Sequence, residues 1–419
     1  MSEIDPLEMD RRLGQAQRGL PDPVQLDRQV GRAHDAYQRW LRQLRQDPIS
    51  VDEPLSEHRV VSSRLTFRDL TQLGDQDPLR SYLERWIFSL GESRVNAPYE
   101  QAMQRLCYHD PTLVHGAEGE PCTRSRLLER ALAGGEGTKY WLDQYLQAAE
   151  PYSVLVREVW QRRAEIARRW GVDYDQQSGC GIAAVEAAQH WLDRTQDMFG
   201  ELHCSALAQF VELACARDAQ LDWPSRLSWR SLTGWFAGGE LCSSLQVKSK
   251  ALPARLAPAS FLRGLCRLGE EWSYTLAPND QFFVVAHEPY DLHTHTHAAL
   301  FALLLCNDGF LKSALAAPAP KLPAARRALH RALLIESRVR AFKVLASHAA
   351  LQGGAAFEEI FLGTLGSRFG FTVPSKATGS LFTPKKQAVQ RFVGLMLAAA
   401  ADTALTEAHD LDWFRNPRG

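Results

Sequence analysis

Four histidines, His287, His293, His295 and His297, fall within eleven positions of "VVAHEPYDLHTHTHAALFALLLC" (284–306), out of 13 in a chain of 419 residues. Imidazole titrates near neutral pH and is a common ligand for transition metals, so such a cluster points to metal binding or proton transfer. Spacing decides which of these is open to it. In a helix, His293 and His297 share a face at i,i+4 and form a two-ligand zinc platform, while His295 lies about 200° away. In an extended chain, His293, His295 and His297 all face one way. The run "AALFALLL" that follows is helical in character, and Asp291 is placed to cap it, which favours the helix.

A zinc hydrolase needs more than two imidazoles. In the HExxH arrangement, a glutamate beside the first ligand takes a proton from the metal-bound water. The corresponding string here is His293-Thr294-His295-Thr296-His297, and threonine is no base at neutral pH. Glu288 would have to act as the catalytic base from the preceding turn, with His287, Glu288 or Glu336 completing the coordination. The competing reading is structural: partly buried polar residues at a strand-to-helix junction, hydrogen-bonded to backbone. Glu336 also has an ordinary partner in Arg340 at i+4. The basic runs Arg326-Arg327 and Arg338–Lys343 read as solvated faces of amphipathic helices. Trp223, Trp229 and Trp235 read as core and groove walls. "GGEGTK" (134–139) has neither the spacing of a phosphate-binding loop nor a strand before it, which excludes that function.

The elements that must position these residues are mostly helices. "QLDRQVGRAHDAYQRWLRQLRQD" carries apolar residues at helical spacing, and "DPLRSYLERWIFSLGE" begins a second helix with Asp77 as cap and Pro78 in its first turn. "YSVLVREVWQRRAEIARRW" stops at Gly171, and "GIAAVEAAQHWLDRTQDMFGELHCSALAQFVELACA" is one long helix or two in succession. "DQFFVVA", bracketed by Pro278-Asn279-Asp280 and His287-Glu288-Pro289, is the one convincing strand. "APAPKLP" (317–323) connects to the helix of "AARRALHRALLIESRVRAFKVLASHAAL", and "QRFVGLMLAAAADTALTEAH" forms the last. The expected architecture is mainly α with very little β: a polar helical segment at 1–60 and a single large helical domain at 61–419.

Composition narrows the function classes. A formal net charge of −1 offers no concentrated positive field for nucleic acid or an anionic membrane. The acidic start, MSEIDPLEMDRR, is no secretory signal, and no apolar run approaches 18 residues. Eight cysteines without a CxxC pair fit reduced thiols. A soluble, cytoplasmic protein is expected, with neither nucleic acid nor membrane as partner.

The order of these elements resembles the thimet oligopeptidase / oligoendopeptidase group of zinc peptidases, over residues 150–419. "LVREVWQRRAEIARRWGVDYD" is similar to that group's helix ending in Arg-x-x-x-Ala and a Gly-aromatic turn. "ALPARLAPASFLRGLCRLG" and "DQFFVVA" are like the helix before the active-site strand and that strand, and "ALFALLLCNDGFLKSAL" like the segment after the metal ligands. "ESRVRAFKVLASHAAL" and "AAAADTALTEAHDLDWFRNPR" resemble the last helices. The resemblance implies a zincin-like helical shell around a substrate channel. HExxH is absent, and His295 or His297 falls near the position of the family's third ligand. The resemblance thus implies the fold without the activity: a non-catalytic protein holding a peptide or protein partner in a degenerate channel, with no cofactor. The alternative is an active zinc peptidase using His293, His297, His295 and Glu336.

A rival resemblance leads elsewhere. "NDQFFVVAHEPYDL" is similar to the distal-histidine segment of the tryptophan dioxygenase family, D-E-x-x-F-I-x-x-H-Q-x-Y-E-L. It implies a haem-dependent aromatic oxygenase with His287 facing the substrate. "RALHRALLIESRVRAFKVL" and "FEEIFLGTLGSRFGF" follow at matching distances. Phe361, however, stands near the place of the family's carboxylate-binding arginine, and no proximal haem histidine follows in a glycine-rich context.

Overall fold

Apolar residues recur at helical spacing through most of the chain, and the structure is mainly α as that period requires. The computed structural model describes residues 22–47, 52–72, 78–112, 122–133, 137–174, 181–215, 258–276, 281–313, 320 and 322–415. The N-terminal part contains α1 (Pro23–Gln43), α2 (Arg64–Thr71) and α3 (Arg80–Tyr108). Then come the two-residue strands β1 (Pro111–Thr112) and β2 (Cys122–Thr123), paired antiparallel, followed by α4 (Arg124–Ala133), α5 (Thr138–Gln147) and α6 (Glu150–Trp170). The middle supplies α7 (Ile182–Arg194), α8 (Gln196–Gly200) and α9 (Leu207–Cys215). The C-terminal half comprises α10 (Pro258–Leu276), α11 (Phe283–Ala286), α12 (Leu292–Leu303), α13 (Asp308–Ser313), α14 (Leu322–Gln352), α15 (Gly354–Phe369) and α16 (Ala388–His409). The three tryptophans at 223, 229 and 235, and Asp77, lie outside the described residues.

Local rules account for several boundaries. Pro23 occupies the first turn of α1, and α6 ends on Gly171 in the left-handed conformation, φ 71°. Asp291 caps α12 by accepting the Thr294 N–H at 2.8 Å. α3 begins at Arg80, two residues beyond Pro78, and continues through Pro98. α16 has the length and composition of a membrane-crossing helix, which counting uninterrupted apolar residues does not flag. Here it packs against α12 and α14.

Burial is organised around α14, whose Ala341, Phe342, Val344 and Ala346 are fully enclosed by α6, α7, α15 and α16. A second apolar cluster joins α10, α12, α13 and α16. A third seats Leu26, Val30 and Ala33 of α1 on α3 and α6, so the N-terminal helix is part of the body.

Two expectations from the sequence are corrected. Phe283–Ala286 is one helical turn instead of a strand. Asp27 of α1 accepts the Val284 N–H at 2.8 Å inside the core, taking a donor that strand pairing would use. No strand lies beside it among the described residues, so tertiary contacts override the β-preference of Phe and Val. The basic run Arg338–Lys343 is not a solvated face either. Arg338 is 0% exposed, and Arg340 is held against the body by Glu336 at 2.8 Å, the i+4 pair the sequence suggested. Burial lowers Lys343 to about 8, against the pull of Glu336. The run winds around a helix packed on several sides, so alternate turns have no water to face.

The histidine-bearing helix α12 is sandwiched by glycine. A Cβ on Gly269 of α10 would collide with the His297 carbonyl, and one on Gly394 of α16 would sit 2.9 Å from the His295 carbonyl carbon. Both neighbours approach α12 backbone-to-backbone at the turn that carries the histidines.

Candidate functional site

α1, α3, α6, α10, the loop after α11 and the segment preceding α16 enclose a cavity of about 820 Å³. Its aromatic wall includes Tyr37, Trp86, Trp160 and Phe283. These rings come from helices whose apolar stripes meet there; Trp86 and Phe283, for example, lie 5.4 Å apart between centroids.

Charge is distributed unevenly around the cavity. Asp35 of α1, Glu270 of α10 and Asp291 line it near His287 and Tyr274. Burial lifts the Glu270 carboxyl above its usual range, with Arg391 and Arg340 opposing. Glu288 also lines the cavity and is engaged by Arg85 of α3. At the other end stand Arg163 of α6 and Lys385 and Lys386 of the segment before α16. Arg163 is paired with Glu92, which is 1% exposed. Lys386 Nζ donates to Ser89 Oγ at 2.8 Å. Lys385 lines the cavity and remains exposed; the desolvation it does undergo lowers its pKa, with Glu100 pulling the other way. Lys386 is lowered for the same reason, opposed by Glu92. His34 of α1 lies between the two ends, under the influence of Asp35, Lys386 and His287.

The sequence-nominated residues are distributed over different surroundings. His293 and His297 do come together, ring centroids 4.2 Å apart, with His297 Nδ1 3.1 Å from the His293 carbonyl oxygen. They do not line the cavity. His295, on the other side of α12, is buried and lines it, with Nδ1 3.9 Å from Glu270 Oε1. Glu336 is committed to Arg340; burial would raise its pKa, but the guanidinium holds it below the ordinary range. His287 lines the cavity against Phe283 and Tyr274, at centroid distances of 4.8 and 5.2 Å. Phe361 is fully buried in the core, packed on Phe342 and Phe357, and not on the cavity. Among the described residues, no three His, Cys, Asp or Glu side chains gather as a metal ion would need.

Sequence reasoning passed over Arg163, Lys385 and Lys386. One signal was available for the lysines: "TPKKQ" puts two cations immediately ahead of α16, where the helix dipole favours anions. A local choice that opposes the fold's electrostatics is where function is to be sought.

His295 makes the site acid-sensitive. Burial lowers its pKa from 6.5 to about 4, assisted by Arg391 and Arg340 and opposed by Asp291 and a hydrogen bond with Gln387. Between those two values the unfolded imidazole takes up a proton that the folded one refuses. The stability linked to it is therefore whole above pH 6.5 and is lost as pH falls toward 4, by about 2–3 kcal/mol. Unfolding free energies measured from pH 7 to pH 4 should fall less steeply in His295→Asn than in the wild type. Parallel curves would refute the assignment.

No protein-family model, no curated protein and no solved structure matches the chain.

Proposed function

We propose that the protein binds a peptide in this cavity without cleaving it, within a shell of oligopeptidase type. The observation that carries the reading is the cavity itself: aromatic-walled, long enough in volume for several residues, and acidic at one end and basic at the other. A peptide in extended form presents that pattern, with an ammonium at one terminus, a carboxylate at the other and apolar side chains between. The groups from which peptidase chemistry would have to be built favour binding over cleavage. Glu288 is engaged by Arg85, Glu336 by Arg340, and His293 with His297 sits apart from the cavity.

Incubation of the full chain with a randomised tetrapeptide pool tests this. Bound peptides should be retained on equilibrium dialysis and recovered intact, with and without added zinc. Recovery of cleaved peptides that depends on zinc and disappears in His293→Ala/His297→Ala would establish the peptidase alternative instead. A pool neither retained nor cleaved would defeat both.

One observation favours the oxygenase reading as a second possibility: His287 lines the cavity between two aromatic rings, with a second imidazole, His34, on the same wall. Titration with haem decides it. A saturable one-to-one Soret change would support the oxygenase, and an unchanged spectrum would remove it.

A further inference from the structure

We infer that Lys385, with Lys386 beside it, is the anchor for the free carboxylate at the C-terminal end of the bound peptide. The inference rests on the peptide-binding reading above and assigns it a direction and a recognised end group.

The argument starts from how firmly the segment 383–387 is held. The Lys385 backbone N–H donates to Ser347 Oγ and its carbonyl accepts from the same hydroxyl, each at 3.2 Å. The Lys385 carbonyl also accepts from the Ala388 N–H at 3.0 Å, and Gln387 Nε2 donates to the Pro289 carbonyl at 3.0 Å. The segment is therefore built to aim its side chains, as a binding group must be.

What it aims is charge without a full counter-charge. Arg163, Lys385 and Lys386 share this end of the cavity with two carboxylates, Glu92 and Glu100. Glu92 is bound to Arg163, and Lys386 has the Ser89 hydroxyl. That leaves Glu100 to serve both lysines from a distance, and no carboxylate forms an ion pair with Lys385 among the described residues. Lys343 adds to the positive side, while Arg391 on the next helix acts on both Lys385 and Glu270. An ammonium that lines a cavity from a fixed backbone and has no ion-pair partner is open to a carboxylate, and a charge-assisted hydrogen bond is among the stronger polar contacts. Tyr37, Tyr152 and Cys107 also face this end; burial holds each of them on the neutral side, so they supply no competing anion. At the opposite end, Asp35, Glu270 and Asp291 repel a carboxylate and suit the ammonium terminus, which fixes the peptide's direction.

The test uses the full chain and two forms of one randomised tetrapeptide pool, free acids and C-terminal amides, read by the rise in melting temperature. On the wild type, the amide pool should need about ten to a hundred times the concentration of the acid pool for an equal rise, the range expected for one charge-assisted contact. Lys385→Met should abolish the difference, and Lys385→Arg should keep it. Without peptide, Lys385→Met should melt close to the wild-type temperature, because the side chain is exposed and makes no ion pair among the described residues, and this also reports that the variant folds. Equal rises with acids and amides on the wild type would overturn the anchor while leaving peptide binding intact. Retention of the acid preference by Lys385→Met would overturn it as well. A rise with neither pool would remove the peptide reading, and the anchor with it.

Discussion

Replacing Arg338 with alanine lowers the unfolding free energy by about 3–5 kcal/mol, measured by urea denaturation. The guanidinium is wholly enclosed, yet no carboxylate pairs with it among the described residues. It donates to the Leu192 carbonyl at 2.8 Å, to Thr195 Oγ1 at 2.6 Å and to Gln196 Oε1 at 2.9 Å, and also to the Arg368 carbonyl. The plane lies over Phe199 and Phe369, at 4.5 and 5.4 Å from their centroids. Burial draws its pKa down to about 10, which still leaves it charged at neutral pH. Truncation opens a cavity and strands acceptors at the joint between α7, α8 and α15, and each stranded acceptor costs on its own account. Lysine is no substitute, because one ammonium cannot reproduce the spread of a planar fork. A variant within about 1 kcal/mol of the wild type would show that this arginine is not the clamp described.

Glu92→Gln is expected to cost about 3–5 kcal/mol, for a different reason. The Glu92 carboxylate sits almost sealed in α3, bound to Arg163, and its charge reaches Lys386 as well. Glutamine keeps the shape and discards the charge, so two enclosed cations are left to Glu100. The loss should be partly reversed in Glu92→Gln/Arg163→Met, since the second change removes the cation the first exposes. Equal stability of Glu92→Gln and the wild type, or a double variant weaker than the sum of the singles, would contradict this account.

These two residues mark the boundary of what the sequence disclosed. Helical periodicity, the Gly171 stop, the Asp291 cap and the Glu336–Arg340 pair were all legible, because each is set by residues within a few positions of one another. The turn at 283–286 was misread as a strand because its deciding contact, Asp27, comes from the other end of the chain. Arg338 was misread for a related reason: charge in a helix reads as solvent-facing unless one knows that a second and third helix cover that side. The histidine cluster did lead to the cavity, since His287 and His295 line it. Its basic end is assembled from α3, α6 and the segment before α16, some 300 residues apart in sequence at the extreme pair Ser89 and Lys386, 297 positions distant. No local pattern carries that information.

The bare contacts of Gly269 and Gly394 with α12 have a mechanical consequence. At these two points backbone meets backbone directly, so α12 cannot pivot to swing His295 outward without driving one main chain into another.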